Sequence, residues 1–143
     1  MDISSTIQLI VLVILLALSA FFSSSETALT TVNRIRMRSL AEEGNKRAAR
    51  VLQVTDDSAK MLSAILIGNN VVNLTASSLA TALALRIFGN AGAGIATGIL
   101  TVMILIFGEI SPKTMATLRA EKISLRFCNI IWLLMKVLTP VIF

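Results

Sequence analysis

Ile7-Gln8-Leu9-Ile10-Val11-Leu12-Val13-Ile14-Leu15-Leu16-Ala17-Leu18-Ser19-Ala20-Phe21-Phe22 carries no charge and one amide. A run of this kind satisfies its backbone in lipid only as a helix. Around it, the 143-residue chain is 55% hydrophobic with a mean hydropathy of +0.83, and its apolar residues fall into long runs rather than being dispersed. Soluble domains of this size rarely have that pattern. No basic n-region precedes the first run, since Asp2 is the only early charge, so a retained span is expected rather than a cleaved signal.

Two further runs follow. Thr55-Asp56-Asp57-Ser58 supplies capping residues for a second span over about 59–88. Gly89-Asn90 marks a turn, and a third span is expected over about 91–118, carrying the small-residue pair Gly94 and Gly98. The first span is placed at about 5–32. Between it and the second, residues 33–54 mix Ile35, Leu40, Val51 and Leu52 with many charges, the pattern of an amphipathic cytoplasmic helix broken at Gly44-Asn45. Phe127 to Phe143 is interrupted by Lys136 and Pro140 and is expected to be a short interfacial segment anchored by Trp132 and Lys136. The expected fold is an all-α integral membrane domain over 1–143, with three transmembrane helices, a cytoplasmic juxtamembrane helix and a short C-terminal interfacial segment. The apolar end at Thr139-Pro140-Val141-Ile142-Phe143 is expected to continue into a longer protein.

Charge sets the expected orientation. Seven of the 13 basic residues (Arg34, Arg36, Arg38, Lys46, Arg47, Arg50 and Lys60) lie between the first two runs, and only Arg86 lies near the second turn. Basic residues collect on the cytoplasmic side, which puts the N-terminus outside and the C-terminus inside a cell (inner) membrane. Beside a membrane, such a stretch is read as a topology signal on anionic lipid and not as a nucleic-acid site. Cys128 is the one cysteine and there is no histidine, so neither an intrachain disulfide nor a Cys/His metal cluster is available, and Cys128 reads as a small apolar residue. The clustered serines lack a base, and nothing marks an enzyme.

Of the eight acidic residues, only Glu26 and Glu109 fall in or against the apolar runs. A carboxylate there costs at least about 2.5 kcal/mol, so a functional role is the default. For Glu109 the competing reading is a structural ion pair with Lys113 at i+4; for Glu26 it is a solvated or capping carboxylate. Pro112 lacks an N–H and cannot bond the carbonyl of Gly108, which leaves that oxygen beside Glu109 for a cation. Against this stands a plain proline kink. On the second span, Asn69 and Asn73 are four apart on one face, with Asn70 beside them. These amides serve either as interhelical glue or as carbonyl ligands. With the hydroxyls of Ser23, Ser24 and Ser25 they form an all-oxygen set suited to magnesium, calcium or sodium.

Three stretches, Leu18-Ser19-Ala20-Phe21-Phe22-Ser23-Ser24-Ser25-Glu26-Thr27-Ala28, Gly68-Asn69-Asn70-Val71-Val72-Asn73 and Gly108-Glu109-Ile110-Ser111-Pro112-Lys113, resemble the transmembrane domain of the CorC/CNNM magnesium transporters. The resemblance implies a homodimer, cytoplasmic CBS modules in the longer chain, and magnesium as cargo, exported with sodium as coupling ion. It implies an ion site of Ser23, Asn69, Asn73, Gly108 and Glu109; Asn70 joins them as a candidate ligand, and Ser19, Ser24, Glu26, Pro112 and Lys113 are the secondary or coupling candidates. The alternative is a membrane-anchored cation sensor that signals to cytoplasmic modules without transport.

Overall fold

The computed structural model describes residues 3–142. Met1, Asp2 and Phe143, inside the expected 1–143 domain, lie outside the described residues, as do the side chains of Ala91, Ala93, Val141 and Ile142. Among the described residues the secondary structure is helical throughout: α1 (Ile3–Thr31), α2 (Arg34–Glu42), α3 (Lys46–Asp56), α4 (Ser58–Leu105), a π-helical segment (Ile106–Ile110), α5 (Ser111–Leu118) and α6 (Ala120–Ile142).

Local chemistry sets these boundaries. The side chains of Asn33, Asn45 and Asp57 accept from backbone amides two or three residues ahead, at 3.0 to 3.3 Å, and so cap α2, α3 and α4. Gly44, at φ 98°, makes the expected break between α2 and α3. Gly89, at φ 69° and ψ −175°, divides α4 into two limbs. Only a residue without Cβ takes that conformation readily. The chain reverses there, because Leu100 and Ile104 of the second limb pack against the cluster formed by Leu12 of α1 with Ala76, Ala80 and Leu83 of the first limb.

At the opposite end, Leu29 of α1, Val32 just beyond it, Met37 of α2, Val51 and Val54 of α3, Met61 and Ile65 of α4, and Ile131 and Met135 of α6 form one core. Cys128 is fully buried in it, as its apolar reading requires. Phe21 joins α1 to α6 through an edge contact with Phe127, with ring centroids 4.8 Å apart. Phe22 lies over Gly68, where an added Cβ would come within 2.6 Å of its ring.

The C-terminal segment requires a correction. It is not short: α6 has 23 residues, and neither Lys136 nor Pro140 interrupts it. Pro140 falls in the last turn, where little helix remains to break, and the Lys136 ammonium sits 4.0 Å from the Trp132 ring centroid, with the Arg50 guanidinium at 3.8 Å. By length and composition, Ala120–Pro140 becomes a fourth candidate span beside Ile3–Thr31, Ser58–Asn90 and Gly94–Leu118, where sequence led to an expectation of three.

Candidate cation site

The polar residues of three passes meet about midway along the α1 and α4 helices. Ser19 Oγ donates to Asn73 Oδ1 at 2.8 Å, and Asn73 Nδ2 donates to Glu109 Oε1 at 3.0 Å. Ser19 Oγ also lies 3.4 Å from the Gly108 carbonyl. A hydroxyl has one hydrogen, and Asn73 is the nearer of its two acceptors, so Ser19 Oγ gathers the Asn73 and Gly108 oxygens around itself beside Glu109.

The backbone explains why Gly108 is available. Pro112 provides no N–H for an i−4 bond, and the preceding turn is wound as a π segment in which Ser111 N–H reaches back to the Ile106 carbonyl. Gly108 is buried, and an added Cβ would lie 3.1 Å from Leu16 Cδ1 and 3.2 Å from Ser19 Oγ. A side chain there would therefore press on the hydroxyl.

One turn toward the α2–α3 end, the antiparallel register of α1 and the first limb of α4 sets Ser23 level with Asn69, each four residues from a member of the Ser19–Asn73 pair. Ser23 is fully buried, and Ser23 Oγ and Asn69 Oδ1 are both buried without a hydrogen-bond partner among the described residues. Leaving such an atom unpaired costs about 1–3 kcal/mol, which calls for an explanation in a site otherwise built to hydrogen-bond. A cation or its water shell would meet both oxygens, whereas Gln8 Oε1, Ser25 Oγ and Ser124 Oγ, also buried without a partner among the described residues, stand outside this group. The residues present thus fit a hard cation: one carboxylate, with neutral oxygens from Ser, Asn and a backbone carbonyl. Among the described residues there is no group of three or more His, Cys, Asp or Glu side chains that would favour a softer metal or a carboxylate cage.

The other expected positions separate from this group. Asn70 is exposed, a hundred degrees around the helix from Asn69, and makes no side-chain hydrogen bond among the described residues. The Ser24 hydroxyl is taken by the Ala20 carbonyl at 2.6 Å. Glu26 is half-buried and outside the network. Lys113 is exposed and forms no ion pair with Glu109, unlike Arg34 with Asp56 and Arg36 with Glu121. Ser19, which the sequence ranked as secondary, is the hub. The signal for it was its four-residue offset from Ser23, which repeats the Asn69–Asn73 offset on the facing helix.

Comparison with known proteins follows the same boundaries. The family described as cyclin M transmembrane N-terminal domain (CNNM) matches residues 10–143. The chain is 46% identical over 133 residues to a UPF0053 protein of Haemophilus influenzae, covering 93% of this chain and 32% of that protein. It is 47% identical over 107 residues to the UPF0053 inner membrane protein YfjD of Escherichia coli, covering 75% of this chain and 25% of the relative. A more distant relative, 26% identical over 148 residues (94% of this chain, 33% of the relative), is named polyamine export protein of Escherichia coli. The chain thus spans a quarter to a third of the length of these curated relatives.

Proposed function

The chain belongs to the cyclin M transmembrane family, and we propose that it forms the cation-binding membrane domain of a secondary transporter with magnesium as cargo. The observation that carries this reading is the meeting of Ser19 Oγ, Asn73 Oδ1 and the Gly108 carbonyl beside Glu109, one turn from the unpaired oxygens of Ser23 and Asn69. Glu109 supplies one negative charge, so a dication keeps a net positive charge in the site and keeps part of its water. Weak enough binding to release is what a carrier needs.

The choice of magnesium over sodium or calcium rests on the resemblance of the three motifs to the CorC/CNNM transporters, as do the homodimer, sodium coupling and export. Orientation is proposed from charge: N-terminus outside, C-terminus inside, α2 and α3 in the cytoplasm. α6, which packs on α3 and the start of α4, lies along the inner interface in this arrangement.

The name of the polyamine export relative supports a second reading, in which the same carboxylate and amides hold an organic polycation. Flux measured in liposomes with magnesium and with spermidine separates the readings. Magnesium flux that spermidine does not replace supports the first. Spermidine flux alone supports the second, and saturable magnesium binding without flux supports a cation sensor.

A further inference from the structure

We propose that the cavity between α1, α5 and the first turns of α6 binds the phosphate of an anionic phospholipid headgroup. The cavity, of about 310 Å³, is lined by the basic residues Arg119, Lys122 and Arg126 and the apolar residues Met115, Ile123 and Phe127, with Ser24 contributed by α1. The inference rests on the proposed membrane orientation and not on the cation site.

The backbone gathers these charges. Arg119, at φ −127° and ψ 40°, ends α5, and α6 starts at the next residue. Lys122 and Arg126 are four apart on one face of α6, and Arg119 stands just ahead of them. The first turn of this 23-residue helix adds the positive end of its dipole. Among the described residues, no carboxylate lies within 4.0 Å of Arg119, Lys122 or Arg126. The nearest acid in sequence, Glu121, is held by Arg36 Nε at 2.9 Å. Arg119, Lys122 and Arg126 are exposed, and three like charges around one cavity set up a positive potential that favours an anion there.

The apolar wall decides between sources of phosphate. Met115, Ile123 and Phe127 offer nothing to free phosphate, but they suit the glycerol and first acyl carbons of a lipid whose phosphate meets the basic groups. A lipid held there fixes the N-terminal turns of α6 at headgroup level.

Native mass spectrometry of the purified chain, equilibrated with equal phosphatidylglycerol and phosphatidylcholine, reads the site directly. The parent should retain phosphatidylglycerol by about tenfold over phosphatidylcholine. Arg119→Gln with Lys122→Gln and Arg126→Gln should abolish that preference, whereas Arg38→Gln with Lys46→Gln, which removes two exposed basic groups elsewhere, should keep it. No preference in the parent, or equal loss in both variants, overturns the site. Displacement of phosphatidylglycerol by millimolar inorganic phosphate overturns the lipid assignment in favour of a soluble anion.

Discussion

Two layers of this bundle use the same helix faces for opposite purposes. Nearer the Gly89 turn, Leu12, Ala76, Ala80 and Leu83 close against Leu100 and Ile104. Two turns away, the corresponding positions on α1 and the first limb hold Ser19 and Asn73, and Gly108 follows Ile104 by four residues. Small residues bring the helices close in both layers. In the first, methyl groups fill the space; in the second, it holds a carboxylate, amides and hydroxyls, some of them unpaired. Close packing alone does not account for the second layer, since an apolar replacement would pack without unpaired oxygens. The apolar layer separates the polar one from the Gly89 end, and the core around Met37, Met61 and Ile131 closes the bundle on the α2–α3 side.

The contrast can be broken in order of expected effect. Glu109→Gln keeps shape but removes the only charge bonded to Asn73, and magnesium affinity should fall well over tenfold, more than about 1.4 kcal/mol, by calorimetric titration. A variant that binds like the parent would reduce the polar layer to interhelical glue. Leu12→Ala should do the reverse, lowering thermal stability by about 1–3 kcal/mol while leaving magnesium affinity within about twofold. The cost is expected below that of a water-soluble core, because lipid solvates leucine too. Loss of affinity instead would join the layers into one unit.

Gly108→Ala should weaken magnesium binding about fivefold to tenfold, since the new methyl lies against Ser19 Oγ and Leu16 while every ligand side chain remains. Unchanged binding would remove the Gly108 carbonyl from the site. Asn70→Ala should have the smallest effect, within about twofold, because the side chain is exposed and outside the network. A large loss there would place a ligand on the outer face, where only a second copy of the chain could complete it.

Much of the helix layout was legible because its signals are local: long apolar runs, caps at Asn45 and Asp57, a turn at Gly89 and a proline after Gly108. Each acts within a few residues. The role of Ser19 was less legible, since it depends on which residue of α4 stands opposite, a matter of register between helices. Asn70 was grouped with Asn69 by proximity in sequence, although one step along a helix turns a side chain away. Lys136 and Pro140 each disfavour a continuous apolar helix when taken alone, which is why the sequence points to an interrupted C-terminal segment. Stacking on Trp132 and a position in the last turn accommodate both. Gly94 and Gly98 have open space where a Cβ would stand, so among the described residues no helix packs closely on their small-residue face.

The most direct test of the account is an infrared difference spectrum of the purified chain in lipid, recorded on adding magnesium, with Glu109→Gln as the reference. The account predicts a saturable shift of a carboxylate stretching band that is absent in Glu109→Gln and persists in Leu12→Ala. A magnesium-induced carboxylate shift that survives Glu109→Gln unchanged would contradict it, because the ion would then be held by another acid.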